Sequence, residues 1–252
     1  MKISIITVVR NNVATINDAI ESVLSQTYKN IEYIIVDGAS TDGTVEVVQG
    51  YTNKIDKFIS EKDQGLYDAM NKGIGLATGD VIGILNSDDV YFDKNVLENI
   101  VNTFRDKQLD SVFGDLYYVN KDDLNKIVRY WKSSDFELGS FAKGWHPPHP
   151  AFFVKKDIYE KYGMFDLQLK VSADFDLMLR FLEKYQISSM YLPKILVKMR
   201  IGGESNSSLK NIITSNQSIL KSFKKNGIRV NRLMYLFYRL VPKIIQIIKR
   251  GR

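Results

Sequence analysis

The chain has 252 residues, a formal net charge of +6 and no cysteine. Its apolar, charged and glycine contents are those of an ordinary folded domain, which excludes a disordered chain and a fibrous repeat. The lack of cysteine excludes disulfides, thiolate zinc sites and a cysteine nucleophile, and is expected in a reducing compartment. The N-terminus lacks the pattern of a signal peptide, so we expect a cytoplasmic protein.

The basic residues are concentrated at the C-terminus. After Glu204 the chain holds eleven Lys and Arg and no acid, whereas the residues up to that point hold 24 basic and 29 acidic side chains. This asymmetry predicts a folded domain over residues 1–205 and a basic, amphipathic helical tail over residues 206–252 that meets an anionic surface.

The pattern of the tail favours a membrane surface over nucleic acid. From about Arg229 to Lys249 the apolar residues share one helical face and most basic residues fall near the other, so we expect a helix lying on the inner face of an anionic membrane. A spanning helix is disfavoured because Arg239 and Lys243 would lie near the bilayer centre. No nucleic-acid partner is expected, since the positive charges alternate with apolar residues. Packing of this helix on the folded domain or on a partner subunit is the alternative.

Hydrophobic periodicity predicts that strands and helices alternate along the first third of the chain. The predicted strands cover residues 2–9, 31–37, 56–60 and 80–86, and the predicted helices cover residues 15–26, 41–51 and 65–78. Such alternation is typical of an α/β fold in which helices cover both faces of a largely parallel sheet.

The pattern changes after Asn95. A helix at residues 96–104 is followed by two alternating segments at 111–119 and 126–131, which predict a mixed or antiparallel extension of the sheet. A proline-stiffened loop, GWHPPHP, then leads into a further strand. The next helix begins at Ser172 as its N-cap and carries Asp174 and Asp176 in its first turn, where the helix dipole favours acids. A last strand and a glycine turn follow from Tyr191.

Acidic residues follow three of the predicted parallel strands. Asp37, Asp63 and the pair Asp88-Asp89 come directly after strands, and ligands of such sheets bind beyond the carboxyl ends of the strands. Carboxylates and amides are ligands for Mg²⁺ or Mn²⁺, which bind one or two carboxylates together with substrate phosphates. The alternative for Asp88 or Asp89 alone is the capping of the next helix.

Several segments together resemble glycosyltransferase family 2, whose catalytic domain has the GT-A fold, a Rossmann-like mixed sheet with helices on both faces. The resemblance covers about residues 1–205 and is carried, in order, by the segments VDGASTDGT, EKDQGLYDAMNKG, GDVIGILNSDD, HPAFFVKKDIYEKYGMFD, SADFDLMLR and MRIGGESN. It implies an inverting, hexosyltransferase-type enzyme that uses Mn²⁺ or Mg²⁺. The sugar would move from a nucleoside diphosphate donor, with UDP as the expected nucleotide, to a hydroxyl of a glycan or lipid-linked acceptor.

The resemblance also implies roles for the strand-end acids. Asp37 and Asp63 correspond to donor-binding positions around the nucleotide base and ribose. Asp88 and Asp89 correspond to the family's acidic pair, with Asp89 as the metal ligand and Asp88 on the donor side. Because the motif reads NSDD, the division of labour between the two acids stays open.

Asp174 corresponds to the catalytic base that removes the proton of the acceptor hydroxyl. Many relatives have Glu-Asp here, whereas this chain has Ala173-Asp174, and Asp176 is the alternative base. Lys72 and Arg200 are candidate donor-binding cations for the diphosphate, with an exposed helix lysine and a surface ion pair as the respective alternatives.

The chain has two histidines, His146 and His149, and both lie in the GWHPPHP loop. In the family this loop lies at the mouth of the active site, so His149 is a candidate metal ligand, although the spacing does not match a zinc pattern. Trp145 is a candidate platform for the acceptor sugar, and packing within the loop or the core is its alternative.

Three other functions are weighed against this interpretation. A Rossmann dehydrogenase is disfavoured because the turn after the first strand, RNNVAT, lacks the glycine fingerprint. A sugar nucleotidyltransferase would also hold a metal-bound diphosphate between carboxylates, but the glycine-rich basic loop expected for it is absent. A noncatalytic membrane-associated scaffold is disfavoured because Asp37, Asp63, Asp89 and Asp174 are all retained.

Overall fold

The computed structural model describes residues 1–202, 209–232, 234 and 235. The tail helix expected from Arg229 to Lys249 lies for the most part outside these residues. The strands are β1 (Ile3–Val9), β2 (Ile31–Asp37), β3 (Lys57–Ser60), β4 (Val81–Ile84), β5 (Val90–Tyr91), β6 (Ser111–Val119), β7 (Ile127–Trp131), β8 (Phe152–Lys155) and β9 (Ser189–Arg200). The helices are α1 (Ile16–Leu24), α2 (Thr44–Gln49), α3 (Leu66–Leu76), α4 (Val96–Asp106), α5 (Lys156–Tyr162), α6 (Ala173–Met178) and α7 (Leu209–Lys225).

All the strands belong to one mixed sheet with the order β3-β2-β1-β4-β8-β6-β9-β5, and β7 pairs with the free part of β6. The four strands β3, β2, β1 and β4 are parallel, as their alternation with helices predicts. β8 is antiparallel to both β4 and β6, whereas β6 and β9 are parallel. The expected mixed extension is therefore confirmed. The short strand β5 and the helix α5 were not predicted from the sequence.

Helices cover both faces of the sheet, as predicted. Every residue of β1 is buried, and its side chains alternate between two hydrophobic clusters. Ile6 faces the cluster that contains α3, where Gly73 allows the helix to approach closely: a Cβ at Gly73 would lie 2.4 Å from Ile6 Cγ2. Ile5 faces the cluster that contains α1 and α4. A strand buried on both faces explains the continuous apolar run at the N-terminus.

The helix α6 begins differently from the prediction. Ser172 occupies the N-cap position, but it has a left-handed backbone (φ 65°) and its side chain does not cap the helix. Its hydroxyl lies 2.8 Å from the hydroxyl of Ser215 in α7. The Ser172 side chain therefore contacts α7 and does not accept a hydrogen bond from the backbone N–H groups in the first turn of α6. Beyond Met178 the chain continues as a π-type turn over Leu179–Lys184.

The helix α7 packs directly on α6. Phe223 contacts Phe175 with a ring-centroid distance of 5.6 Å, and it also contacts Tyr235. Asn226 donates a hydrogen bond of 3.0 Å to the buried carboxylate of Asp176. The division into parts at residues 205 and 206 stays a prediction, and no helix among the described residues is both long and apolar enough to span a bilayer.

A buried carboxylate joins the strands at the amino edge of the sheet. Glu32 accepts hydrogen bonds from Ser4 Oγ at 2.6 Å, from the backbone N–H of Thr78 at 2.7 Å and from Lys57 Nζ at 2.9 Å. Burial raises the pKa of Glu32, but these hydrogen bonds outweigh burial and hold the pKa well below its ordinary value. The ionised carboxylate therefore stabilises the fold.

We expect Glu32→Gln to lower the free energy of unfolding near neutral pH by about 1–3 kcal/mol, because hydrogen bonds to a charged group are lost. A pKa that is lower in the folded chain contributes stability above the unfolded value of about 4.3 and loses it as the pH falls further. Denaturant unfolding of the wild type and the variant measures both effects. The free energies of unfolding of the wild type and the variant should approach each other below about pH 4. A difference that stays constant down to about pH 3 would contradict the lowered pKa of Glu32. The exposed Glu137→Gln is the matched control.

Candidate active site

Acidic side chains gather at the carboxyl edge of the parallel strands. β3, β2, β1 and β4 are neighbours and run in one direction, so their carboxyl ends lie at the same edge of the sheet. Asp37 is the last residue of β2, Asp63 follows β3, and Asp88 and Asp89 follow β4. The structure therefore brings these four predicted residues to one crevice.

Asp37 and Asp63 form one side of the crevice. Asp37 is fully buried and accepts hydrogen bonds from the backbone N–H of Ser40 at 3.0 Å and from Ser60 Oγ at 2.6 Å. Asp63 lies against the backbone of Gly38, where an added Cβ would come within 2.3 Å of the Asp63 carboxylate. The two acids are therefore close, as a shared role around the nucleotide requires, and that role stays a prediction.

Asp88 and Asp89 differ in burial. Asp89 is fully buried and accepts hydrogen bonds from Asn86 Nδ2 at 3.0 Å and from the backbone N–H of Arg200 at 3.2 Å, whereas Asp88 is partly exposed. Burial and, after it, the charge of Asp88 raise the pKa of Asp89 well above its ordinary value. Burial also raises the pKa of Asp88. A cation beside this pair would favour the ionised form of both.

Arg200, a candidate for diphosphate binding, is held within the protein. Its guanidinium donates to Asp18 Oδ2 at 2.5 Å, to the backbone oxygen of Asp88 at 2.6 Å and to the backbone oxygen of Lys121 at 3.1 Å. These contacts join α1, the loop after β4 and the loop after β6. The structure therefore shows Arg200 supporting the loop of the acidic pair, and its contact with a diphosphate stays a prediction.

Lys72, the second candidate cation, also has partners in the protein. Its ammonium lies 2.8 Å from Glu61 Oε1, 3.5 Å from Asp68 Oδ2 and 3.0 Å from the backbone oxygen of Lys62. The hydrogen bond with Glu61 raises the pKa of Lys72. Lys72 therefore holds the loop that carries Asp63, while its proposed contact with the donor stays a prediction.

Asp174, the predicted base, lies across the crevice in the first turn of α6. Its carboxylate accepts a hydrogen bond of 3.1 Å from the hydroxyl of Tyr67 in α3. Burial and the charge of Asp174 raise the pKa of Tyr67 well above its ordinary value, so the phenol stays protonated and donates. Asp174 is partly exposed, and one carboxylate oxygen carries no hydrogen bond from Tyr67. An acceptor hydroxyl can therefore reach the Asp174 carboxylate, as a general base requires.

Asp176, the alternative base, has a different environment. Its side chain is fully buried, and its two oxygens face Asn226 at 3.0 Å and Arg180 at 3.4 Å. A substrate hydroxyl cannot reach a carboxylate that is closed off by α7 and by an ion pair. The structure therefore favours Asp174 over Asp176 and assigns Asp176 to the packing of α7.

His149 lies beside Asp174 and an aromatic pair. The ring of Phe165 stacks on Tyr67 at 5.4 Å and meets the edge of His149 at 5.5 Å. Asn71 exchanges two hydrogen bonds of 2.9 Å with the backbone of Phe165, which ties this segment to α3. Burial lowers the pKa of His149, and the nearby charge of Asp174 opposes that shift. In this environment His149 is a neutral imidazole next to the predicted base.

Tyr118 lies near the end of β6. Burial raises the pKa of Tyr118, the guanidinium of Arg129 lowers it, and the charges of Asp89 and Asp174 raise it. The next residue, Val119, pairs with Arg200, whose backbone N–H donates to Asp89. The end of β6 therefore lies beside the loop of the acidic pair.

Trp145, the candidate acceptor platform, packs among phenylalanines. Its ring centroid lies 5.6–5.8 Å from those of Phe113, Phe136 and Phe141. Its indole N–H is buried and has no hydrogen-bond partner among the described residues. This packing agrees with the alternative of a loop and core residue, and the acceptor role stays a prediction.

The acids do not form a complete metal cage by themselves. In the described part of the chain, no three or more His, Asp or Glu side chains are placed to hold one ion, so His149 is not grouped with Asp88 and Asp89. Asn86 nevertheless has a buried Oδ1 without a partner among the described residues, while its Nδ2 bonds to Asp89. An orphaned oxygen beside two carboxylates fits a hard cation that takes its other ligands from substrate phosphates and water.

Sequence reasoning missed Tyr67 and did not single out Tyr118. Asn86 belongs to the NSDD segment, whose hard oxygen ligands are predicted from the sequence to suit Mg²⁺ or Mn²⁺. Tyr67 and Tyr118 carry no comparable local signal, because their roles depend on contacts with residues far along the chain.

The fold is that of GT-A glycosyltransferases. The chain superposes on S. aureus TarS 1–349 in complex with UDP with a TM-score of 0.69, at 18% identity, covering 95% of this chain and 70% of that one. It superposes on the mannosyltransferase PcManGT from Pyrobaculum calidifontis, in complex with GDP-Man and Mn²⁺, with a TM-score of 0.64 at 19% identity. That match covers 89% of this chain and 63% of the other. The class that these superpositions define is the GT-A fold.

The family model "Glycosyl transferase family 2" matches residues 4–163, so the chain belongs to this family and is a glycosyltransferase. It is 25% identical over 247 residues to a "PGL/p-HBAD biosynthesis glycosyltransferase" of Mycobacterium bovis, covering 96% of this chain and 91% of the relative. It is 32% identical over 212 residues to an uncharacterized glycosyltransferase of Rickettsia typhi, covering 79% and 64% of the two chains. The resemblance stated from the motifs is confirmed.

We expect Asp174→Asn to lower turnover by about 10²–10⁴-fold, the usual loss for a general base. Tyr67→Phe should lower turnover by about 10- to 100-fold, because the carboxylate loses the hydrogen bond that orients it. Donor affinity should change little in both variants. Initial rates and donor titrations measure these effects.

Asp176→Asn is the matched control for the base. It should reduce thermal stability, through its bonds to α7, more than it reduces the turnover of the enzyme that remains folded. Full activity of Asp174→Asn, or a loss confined to Asp176→Asn, would move the base to the other residue.

Proposed function

We propose that the enzyme transfers a sugar from a nucleoside diphosphate donor to an acceptor hydroxyl with inversion, assisted by Mn²⁺ or Mg²⁺. The hydrogen bond from Tyr67 to Asp174 carries the proposal, because Tyr67 lies in the first turn of α3, just after Asp63, and so joins the predicted base to the crevice of the strand-end acids. The complexes of TarS with UDP and UDP-GlcNAc and of PcManGT with GDP-Man support a nucleotide-sugar donor, with UDP as the expected nucleotide.

In the proposed reaction the oxygen of the acceptor hydroxyl attacks the anomeric carbon, and Asp174 accepts the proton of that hydroxyl. The bond from that carbon to the diphosphate oxygen breaks, and the nucleoside diphosphate leaves with the electron pair. Tyr67 orients the Asp174 carboxylate through its hydrogen bond. Attack on the face opposite the leaving group inverts the anomeric centre.

The residues Asn86, Asp88 and Asp89 would hold the divalent cation. When bound, such an ion neutralises charge on the diphosphate. Asp37 and Asp63 would bind the base and ribose of the donor, at the side of the crevice where the structure brings them together.

Asp89→Asn is expected to abolish metal-dependent binding of the donor nucleotide and to lower transfer by at least about 100-fold. The measurement is release of nucleoside diphosphate from a panel of UDP-, GDP-, CDP- and ADP-linked sugars, with Mn²⁺, with Mg²⁺ and with chelator. Asp106→Asn, an exposed acid at the end of α4, is the control of equal charge change. Full activity of the wild type in chelator, or near-normal turnover of Asp89→Asn with metal, would refute the metal role.

We further propose that the protein works on the inner face of the cytoplasmic membrane, where the basic tail meets anionic lipid and the acceptor is a lipid-linked molecule or a glycan delivered there. The support is the charge distribution, since every charged side chain after Glu204 is basic. Each Lys or Arg near an anionic surface contributes about 1 kcal/mol.

We expect the triple variant Arg239→Gln, Lys243→Gln, Lys249→Gln to sediment less with vesicles that contain phosphatidylserine. Neutralising Lys54, Lys107 and Lys126, which are exposed on the folded domain, is the matched control and should have little effect. The binding of the wild type should weaken as salt is added. Equal sedimentation of both triple variants, or no preference of the wild type for anionic lipid, would refute this role of the tail.

A further inference from the structure

The hairpin of β6 and β7 fixes a guanidinium on two aromatic rings. Arg129 is paired with Tyr118 across the hairpin, and Trp131 lies two residues further along β7 on the same face. The rings of Tyr118 and Trp131 are stacked, with a centroid distance of 6.2 Å and an interplanar angle of 7°. The Arg129 guanidinium lies 5.3 Å from the first centroid and 5.9 Å from the second.

This stacking leaves part of the Arg129 hydrogen-bonding edge without an acceptor. The Nε of Arg129 is buried and has no partner among the described residues. A buried N–H without an acceptor costs about 1–3 kcal/mol, and more when the group is charged. A guanidinium presents its N–H donors in one planar fork, and this fork matches the geometry of phosphate oxygens.

The position of Arg129 places this edge at the active site. Val119, the residue after Tyr118, pairs with Arg200, whose backbone N–H donates to Asp89. Trp131 meets the ring of His146 at 5.1 Å, and His146 meets Phe175, the neighbour of Asp174, at 5.5 Å. The hairpin therefore lies between the loop of Asp89 and the helix of Asp174. Reactants that lie between these two acids therefore come near Arg129. The only anions that the proposed reaction must bring there are phosphates.

The two cations that the sequence indicated for this task are engaged elsewhere. Lys72 is bonded to Glu61, and each of the three guanidinium nitrogens of Arg200 donates to a protein oxygen. Arg129 is different because it is held on two aromatic rings and its Nε has no partner in the described chain. It is therefore a cation of this region that is available for an external oxyanion.

We propose that Arg129, held on Tyr118 and Trp131, binds a phosphate oxyanion of a reactant in the crevice. The inference rests on the proposed sugar transfer, in which the anion is either the diphosphate of the donor or a phosphate group of a lipid-linked acceptor. The oxyanion binds to the terminal N–H groups of the guanidinium, because the buried Nε is closed to an external ligand. In the donor case the guanidinium also places a positive charge beside the departing diphosphate.

The test uses the full chain with Arg129→Gln and Arg129→Lys, and Lys132→Gln as an exposed neighbour of equal charge change. Calorimetry measures the binding of inorganic pyrophosphate, UDP, GDP and uridine, and a second series measures binding to detergent micelles that carry polyprenyl diphosphate. Arg129→Gln should weaken the phosphate-bearing probes by about 10- to 100-fold, as expected for a charged hydrogen bond, and leave uridine unchanged. Arg129→Lys should recover part of the loss, and Lys132→Gln should bind like the wild type.

The binding results distinguish the two possible sources of the phosphate, the donor and the lipid-linked acceptor. Weaker binding of UDP or GDP assigns the site to the donor, whereas weaker binding of the micelles alone assigns it to the acceptor. Unchanged binding of pyrophosphate, nucleotides and micelles in both Arg129 variants would overturn the inference. Sugar transfer by the wild type is scored separately with the sugar-nucleotide panel, so failure of the proposed function is distinguishable from failure of the site. If Arg129→Gln does not fold, as judged by thermal unfolding, Arg129→Lys carries the same comparison.

Discussion

The buried carboxyl group of Asp89 is the constraint on which the crevice depends. A carboxylate without solvent contact is stable only when donors or cations surround it, and here Asn86 and the backbone of Arg200 supply the donors. The bond to Arg200 joins residues 111 positions apart and fixes the end of β9 against the loop after β4. Burial and the charge of Asp88 raise the pKa of Asp89. The proposed divalent cation would favour the ionised form of both acids.

The second side of the crevice is built on helix packing. Tyr67 in α3 holds Asp174 in α6, while α7 closes over the far side of α6 through Asn226 and Phe223. This arrangement gives two acids of one helical turn different tasks: Asp174 faces the crevice and Asp176 anchors α7. The helix α7, at the start of the predicted basic tail, thus packs against the helix of the predicted base.

The strand-end acids could be predicted from the sequence because their placement follows from local periodicity and one topological rule. Asp37 and Asp89 each end or follow a buried apolar run, and parallel strands place those ends together. The bond between Tyr67 and Asp174 could not be predicted, since it spans 107 residues and depends on how α3 and α6 pack. Arg129 was missed for a related reason: its function depends on which face of a hairpin lies toward the crevice. Single-residue patterns do not contain this information.

In the proposed mechanism Asp174 directs an acceptor hydroxyl onto the face of the donor sugar opposite the departing diphosphate. The most direct measurement is the anomeric configuration of the first transfer product, read by proton NMR from the coupling at the anomeric position. An α-linked sugar nucleotide should give a β-glycoside. An α-glycoside, formed as the first product and not by later rearrangement, would contradict the account.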